Sequence, residues 1–180
     1  MQQVQAGETA RLEVLFERHS LPLFRYFVHL TGNASASEDL VQDVFFRVLK
    51  YSNSYGPDRN FAAWLYQIAR NVYFDQMRKR RGEVALDGDP GDEPMQIPSR
   101  EPAPEELFHR RQEMDLLRQA LAGLPVEKRE VLVLSRFQDL RYDEIARILH
   151  CEVGAVKVRV YRAMRELGDR YFALRGEKAS

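Results

Sequence analysis

The chain has 180 residues, and its 27 lysines and arginines are balanced by 27 aspartates and glutamates, so its formal net charge is zero. A single cysteine, Cys151, excludes an internal disulfide and a multi-cysteine zinc site, and no run approaches the ~18 apolar residues that a membrane-spanning helix needs. We therefore expect a soluble, cytoplasmic protein, and the balanced charge argues against one that coats duplex DNA unaided, although local basic patches can still bind nucleic acid.

The middle of the chain is rich in proline and acid. Residues 83–106 hold five of the eight prolines, and their eight acids and one base give a local charge of −7. Such a composition is typical of an extended linker, in which neither helix nor strand persists. We therefore divide the chain into residues 1–82, a linker over 83–104, and residues 105–180.

Both halves are predicted to be helical, because their apolar residues recur three and four positions apart and strand-like alternation is absent. The expected fold class is all-α, with two small helical domains joined by the acidic linker. In the first half we predict one or two helices ending near Gly32, a helix over 36–50, and a helix from Phe61 to about Arg80, capped by Asn60.

Prolines and a glycine mark the helices of the second half. Pro104 is expected to open a helix that ends near Ala122, where Gly123 follows, and Pro125 to open another through about Phe137. Two short helices are predicted to follow, split at residues 150–152.

The helix at 36–50 has one apolar face and one acidic face. The predicted buried stripe comprises Leu40, Val41, Val44, Phe45, Val48 and Leu49. The stripe turns Asp39, Gln42, Asp43 and Phe46 outward, and an exposed phenylalanine beside two carboxylates predicts a basic, partly apolar partner. The alternative is a solvated face with Phe46 half-buried against a neighbour.

The helix from Phe61 is expected to bury Phe61, Trp64, Leu65, Ile68 and Val72. Its opposite face alternates aromatic, amide and cationic side chains: Tyr66, Gln67, Arg70, Asn71, Phe74, Arg78 and Arg81. Rings interleaved with guanidinium groups are suited to unpaired bases, with the cations following the phosphates. The alternative is that Tyr66 and Phe74 complete the core and the basic run merely ends a helix favourably.

The end of the chain has helix-turn-helix spacing, with an apolar helix over 142–149, a three-residue break, and a helix from Val153. Inward packing is expected between Ile145, Ala146 and Leu149 of the first helix and Val153, Val156 and Val160 of the second. The outward face then carries Lys157, Val158, Arg159, Tyr161 and Arg162, which are suited to phosphates, guanine edges and thymine methyl groups. The alternative is a solvated charged helix of an ordinary bundle.

We predict no enzyme, because no motif of catalytic or metal-ligating residues stands out. The four histidines lack the spacing of a metal or catalytic site, and there is no phosphate-binding glycine cluster or nucleophile elbow. The prediction is therefore no catalytic residue, no metal and no cofactor. For Cys151 we expect a packing thiol rather than a redox sensor.

Taken together, several segments resemble the extracytoplasmic-function (ECF) group of bacterial sigma factors, the promoter-recognition subunits of RNA polymerase. The resemblance covers nearly the whole chain. The matching segments are 38–45, 61–71 with Asp75 and the basic residues after it, Leu124-Pro125, 142–146, 154–157 and Arg162-Ala163.

The resemblance implies a role for each surface. It implies that Asp39, Gln42, Asp43 and Phe46 bind the clamp helices of the largest polymerase subunit. It implies that residues 52–60 and the helix from Phe61 open the minus-10 element and capture flipped bases. It implies that Lys157, Val158, Arg159, Tyr161 and Arg162 read the duplex minus-35 element. Further implied partners are the polymerase flap and an anti-sigma factor, without insertion into a membrane.

Three positions depart from the family pattern. Arg141 stands where a helix-capping serine or threonine is common, and Ala155 and Val158 stand where threonine and serine are common. The missing hydroxyls leave the minus-35 sequence open. The competing hypotheses are a stand-alone helix-turn-helix repressor, which would dimerise on duplex DNA without polymerase, and a scaffold that makes no DNA contact.

Overall fold

The computed structural model describes residues 10–56, 60–87 and 105–176 of the chain, although not the side chains of 10–12, 81–87 and 105–110. Within these residues the fold is all-α, as predicted, and contains no strand. Its helices are α1 (Ala10–Thr31), α2 (Ala34–Lys50), α3 (Phe61–Asp87), α4 (Glu105–Ala122), α5 (Val126–Leu132), α6 (Tyr142–Ile148) and α7 (Val153–Arg175). A 3-10 turn, Ser52–Ser54, follows α2, and a π-helical turn, Val133–Phe137, extends α5.

Helix α1 is continuous through Pro22. A proline inside a helix removes one backbone hydrogen bond, but the residues that follow it bury large side chains completely, among them Leu23, Tyr26 and Phe27. This packing holds the helix together across the proline. The helix ends at Gly32, whose φ of 69° lies in the left-handed region.

Asparagine side chains cap the next two helices. The side chain of Asn33 accepts a hydrogen bond from the backbone N–H of Ala36 at 2.9 Å, so α2 begins two residues before the predicted start. The side chain of Asn60 accepts from the N–H of Ala63 at 3.1 Å, which confirms the predicted cap of α3. The predicted stripe of α2 is buried except for Leu49, which lies at the last turn, turned away from the core.

Helix α3 continues to Asp87, beyond both the predicted end at Arg80 and the predicted domain boundary at residue 82. The prediction that residues 83–87 belong to an extended linker is therefore wrong. Between Phe61 and Asp87 the sequence holds no proline and one glycine, Gly82, whereas Gly88 and Pro90 follow directly. Residues 88–104 of the predicted linker lie outside the described residues.

The second half follows the predicted order but not every predicted length. Helix α4 ends at Ala122 and α5 follows Pro125, as expected. The last helix is not short, because α7 runs for 23 residues and packs against both α4 and α5. Its length follows from this packing, since a helix with partners along its whole face is stabilised along its whole length.

The two halves pack against each other. Helix α1 contacts α4, α5 and the π-helical turn, and α3 contacts α6. The buried residues of both halves form a continuous apolar cluster. The face of α3 that was predicted to point outward therefore lies partly against the second half.

Candidate functional site

The acidic face of α2 is exposed. Asp39, Gln42 and Asp43 all face solvent, and the side chain of Phe46 is 67% exposed, so the alternative of a half-buried Phe46 is wrong. The apolar stripe on the other side of α2 fixes this orientation, because its side chains fill the core between α1 and α3. The result is a helix that presents an aromatic ring beside carboxylates.

A groove beside Phe46 continues this face toward α3. Its lining includes an ion pair in which Arg47 donates to Asp75 at 2.7 Å, and Arg78 also pairs with Asp75. The hydrogen bond from Arg47 lowers the pKa of the Asp75 carboxyl, burial opposes this shift, and the hydrogen bond from Arg78 lowers the pKa further. The groove is lined by Asp43, Phe46, Arg47, Lys50, Tyr51, Asp75 and Lys79.

On α3, two predicted DNA-binding side chains make hydrogen bonds to the second half. Tyr66 is only 5% exposed, contrary to its expected outward position, and its hydroxyl donates to the side-chain oxygen of Gln138 at 2.5 Å. Burial raises the pKa of Tyr66. Gln67 is half-buried and donates to the backbone carbonyl of Arg147 at 2.8 Å.

Arg70 is also engaged by the second half. Its Nε lies 3.2 and 3.3 Å from the two carboxylate oxygens of Glu130, which is 1% exposed and also accepts a hydrogen bond from the Tyr26 hydroxyl at 3.0 Å. Burial raises the pKa of Glu130, against the opposing influence of Arg70 and Tyr26. The guanidinium of Arg70 lies over the ring of Phe74, 4.8 Å from its centroid.

The remaining predicted residues of this face differ in exposure. Asn71 and Arg78 are exposed, and Phe74 is half-buried against the core, close to the alternative in which its ring completes the packing. The side chain of Arg81 lies outside the described residues. The predicted face is therefore divided into an accessible part and a part that the second half covers.

The second half contains the predicted helix-turn-helix. The turn between α6 and α7 passes through His150, whose φ of 50° is left-handed, and the N–H of Cys151 donates to the carbonyl of Ala146 at 3.0 Å. The side chains of Ile145, Ala146, Val156 and Val160 are buried at the crossing, as predicted. Leu149 is half-buried, but Val153 is exposed, because it lies at the first turn of α7, before the helices cross.

The outward face of α7 is exposed over its predicted length. Tyr161 is 64% exposed, and Lys157, Val158, Arg159 and Arg162 also face solvent. Among the described residues, none of the three cations on this face has an ion-pair partner. Their charges are therefore available to an anionic ligand.

Glu144 is a structural residue that sequence reasoning missed. One carboxylate oxygen accepts from the backbone N–H of Arg141 at 2.8 Å, and the other accepts from the side chain of Asn60 at 2.6 Å. It thus satisfies the backbone N–H of the cap residue Arg141, which is the glutamate half of a capping box. Its position three residues after the cap was the available signal, whereas nothing local marked Glu130 or Gln138.

The part of the chain that the structure describes holds no cluster of histidine, cysteine, aspartate or glutamate able to bind a metal ion. None of its helices is long and apolar enough to cross a membrane. Cys151 is half-buried and packs against the core of the second half.

Comparison with known proteins assigns both halves to one family. The family description Sigma-70 region 2 matches residues 15–83, and Sigma-70, region 4 matches residues 114–167. The ECF RNA polymerase sigma factor EcfG of Rhodopseudomonas palustris is 38% identical over 82% of this chain and 78% of its own length. The ECF RNA polymerase sigma factor SigE of Mycolicibacterium smegmatis is 34% identical over 86% of this chain, which spans 59% of that relative.

A solved structure is similar over nearly the same extent. It is the sigma factor RpoE in complex with the anti-sigma factor NepR from Bartonella quintana, with a TM-score of 0.70 and 28% identity over 88% of this chain and 96% of that one. The region 2 match covers the helices of the first half, and the region 4 match covers helices of the second half. The chain therefore belongs to the ECF group of sigma-70 family RNA polymerase sigma factors.

Proposed function

We propose that this sigma factor uses three surfaces for transcription initiation, each for a different step. The surfaces lie on two units, residues 1–82 and 105–180. It binds core RNA polymerase, directs the enzyme to specific promoters and assists promoter opening. The polymerase supplies the chemistry of RNA synthesis, so the chain itself is no enzyme and needs no cofactor. It acts in the cytoplasm, where polymerase and promoter DNA meet.

The α2 surface binds core polymerase. Asp39, Gln42, Asp43 and Phe46 combine carboxylates with an exposed aromatic ring, which suits a partner helix that carries arginine and an apolar patch. The clamp helices of the largest polymerase subunit are the proposed partner. The groove beside Phe46 gives that partner a recess next to the carboxylates.

The α7 surface reads the duplex minus-35 element. Its unpaired cations, Lys157, Arg159 and Arg162, can reach phosphates or guanine edges, and Val158 and Tyr161 can meet thymine methyl groups in the major groove. The local charge of this surface is basic, whereas the net charge of the whole chain is zero. This combination supports promoter binding that depends on the polymerase complex.

Helix α3 captures the opened minus-10 strand. Tyr66, Gln67, Arg70, Asn71, Phe74 and Arg78 offer rings, amides and cations on one helix, the combination used for unstacked bases. An anti-sigma factor is a further proposed partner, because a relative of the same fold was solved with one. The acidic segment before residue 105 is proposed to thread through cationic channels of the polymerase.

The observation that carries this proposal is the coexistence of the acidic α2 surface with the basic α7 surface. A stand-alone repressor needs only the basic α7 surface to bind DNA, whereas a scaffold needs neither the α2 surface nor the α7 surface. The family matches in both halves also favour the sigma factor over the repressor.

The α2 assignment is tested with Asp39→Arg and Asp43→Arg. Each reversal brings like charges together at the proposed interface, which costs several kcal/mol, so we expect the Kd for core polymerase to rise more than about tenfold. Glu113→Arg makes the same charge change on an exposed residue of α4 and is the matched control. Affinities of both α2 variants equal to that of the control would refute the assignment.

A further inference from the structure

The first two turns of α7 carry almost no hydrogen-bonding side chain. Their residues are Val153, Gly154, Ala155, Val156, Lys157 and Val158. Only Lys157 among them has a side-chain donor, and the hydroxyl groups that threonine and serine would supply at positions 155 and 158 are absent. Because the N-terminal residues of a recognition helix make its base contacts, base reading by α7 has to depend largely on apolar contact.

One strip of α7 faces directly away from the core. It consists of Gly154, Val158 and Tyr161, which we call the α7 strip. Each of these residues stands two positions from a buried one, which is about 200° round an α-helix and therefore on its opposite side. The buried residues are Val156, Val160 and Ala163. The side chains of the strip are accessible, since Val158 is 47% exposed and Tyr161 is 64% exposed.

The dimensions of the major groove separate the α7 strip from the cations beside it. The groove is about 12 Å wide and a helix with its side chains is about 10–12 Å across, so a helix in the groove fills it from wall to wall. Lys157 and Arg159 lie about 100° to either side of Val158, where their side chains reach the phosphates of the walls. Val158 meets the floor, where the C5-methyl group of thymine is the one apolar group that the base edges present.

Gly154 gives the α7 strip a notch. Side chains on a helix lean toward its N-terminus, so Val158 leans over Gly154, one turn earlier. A Cβ atom added to Gly154 would meet no atom of the described residues within 4 Å, and the backbone there is not left-handed. The fold therefore gains nothing from this glycine, although glycine is less favourable than alanine in a helix. The missing side chain leaves space in front of Val158 for a group of the DNA.

We infer that the notch between Gly154 and Val158 binds the C5-methyl group of a thymine and thereby selects one A·T pair of the minus-35 element. The sequence preference at this promoter position comes from apolar contact with the methyl group and not from a hydrogen bond. The inference deepens the proposed function and rests on it, because α7 has to lie in the major groove.

The test removes the methyl group from the DNA and leaves every hydrogen-bonding group in place. A promoter fragment recovered by run-off transcription is prepared in copies in which each thymine of the minus-35 element is replaced in turn by uracil. The Kd of each copy is measured with holoenzyme that contains the full chain. We expect one replacement to raise the Kd about fourfold, which is the effect of returning one methyl group to water.

Two variants locate this effect at the notch. Val158→Ser removes its apolar wall and Gly154→Ala fills it, so each should lower the ratio of the uracil Kd to the thymine Kd from about four to about one. Gly168→Ala is the matched control, because it makes the same substitution in equally open surroundings of the same helix, ten residues beyond Val158. It should keep the fourfold ratio. Gly154→Ala should melt no lower than wild type, which excludes unfolding as the cause of its effect.

Three results would overturn the inference. The first is a wild-type Kd that no uracil replacement changes, and the second is a minus-35 element without an A·T pair. The third is a fourfold ratio that persists in either Val158→Ser or Gly154→Ala, because the methyl group would then be bound elsewhere.

The double variant Lys157→Ala/Arg159→Ala distinguishes these results from a failure of the proposed function. If α7 lies in the groove, the loss of both cations weakens the binding of thymine and uracil fragments alike. Unchanged binding of every fragment, or the recovery of no promoter fragment, would instead refute the proposed role of α7 and this inference with it.

Discussion

Asn71 and Phe74 lie one turn apart on α3, and their surroundings separate a DNA-binding role from a packing role. Asn71 is exposed, whereas Phe74 packs against the core and beneath the guanidinium of Arg70. We expect Phe74→Ala to lower the free energy of unfolding by about 1–3 kcal/mol, less than for a fully buried ring, and Asn71→Ala to leave it unchanged. Urea denaturation checks both values.

Asn71→Ala also tests strand capture. If Asn71 contacts an opened base, Asn71→Ala should reduce transcription from a fully paired promoter more than from one with a mismatched minus-10 bubble, because the bubble has already met the cost of unstacking. Equal reductions on both templates would contradict a role in opening. The thermal melt of Asn71→Ala serves as its control for folding.

His29 predicts a pH dependence of stability. Burial lowers its pKa below the ordinary value, and the charge of Arg118 lowers it further. The pKa of His29 is lower in the folded state than in the unfolded state. The contribution of neutral His29 to the free energy of unfolding is therefore complete above about pH 6.5 and is lost as the pH falls through the folded pKa. His29→Phe, which keeps a neutral ring against Phe137, should make the free energy of unfolding fall less steeply on acidification.

Denaturation curves at several pH values check this expectation. His19 has a pKa lowered mainly by burial, with Arg18 contributing, so it gives a slope of the same sign that remains in the variant. The difference between wild type and His29→Phe isolates the contribution of His29. Identical pH profiles would contradict it.

At the scale of single elements, α7 has one side that packs in the core and an opposite side that is exposed and basic. Val156, Val160 and Ala163 are fully or nearly fully buried, and the cations on the other side are exposed. A base contact and a phosphate contact from this face have different signatures, since only the first depends on DNA sequence.

Lys157→Ala and Arg162→Ala distinguish these signatures. A contact to a guanine edge should cost about 1–3 kcal/mol at one promoter position, whereas a phosphate contact should weaken all sequences alike and reduce the salt slope by about one. Holoenzyme binding to a panel of minus-35 variants measures both, with Arg136→Ala as a control that removes an exposed cation elsewhere. No effect of either substitution on any promoter would remove α7 from promoter recognition.

The elements were largely predictable because their signals are local. Periodicity predicted most of the buried faces of α2 and α3, although Leu49 is exposed, Phe61 is half-buried and Tyr66 is buried. The asparagine caps at Asn33 and Asn60 lie within one turn of the N–H groups they satisfy. The lengths of α3 and α7 were not predictable in the same way. Glycine and proline mark where a helix can end, but packing decides how far it continues.

At the scale of the whole molecule, the contacts between the halves were not predictable from the sequence. Tyr26 and Glu130 are 104 residues apart, and Arg70 and Glu130 are 60 apart. A polar pair of this separation leaves no periodic pattern, and Tyr66 on its own fits an outward aromatic face as well as a buried one. The burial of Tyr66 involves a contact with Gln138 in the second half, which the sequence around Tyr66 does not indicate.

The zero net charge also has its explanation at this scale. The acids of α2 and of the segment before residue 105 offset the basic surfaces of α3 and α7. A subunit with this balance is expected to bind promoters weakly alone and to acquire affinity within the polymerase complex. We therefore expect the separate surfaces to act together only in the complex with core polymerase.

Run-off transcription with core polymerase on fragmented genomic DNA tests that activity most directly. We expect discrete transcripts when the wild-type chain is added to core enzyme, and none above the core-only background with Asp39→Arg or Asp43→Arg. Transcripts of core enzyme that are unchanged by the wild-type chain, together with binding of duplex fragments by a dimer without polymerase, would contradict sigma-factor activity.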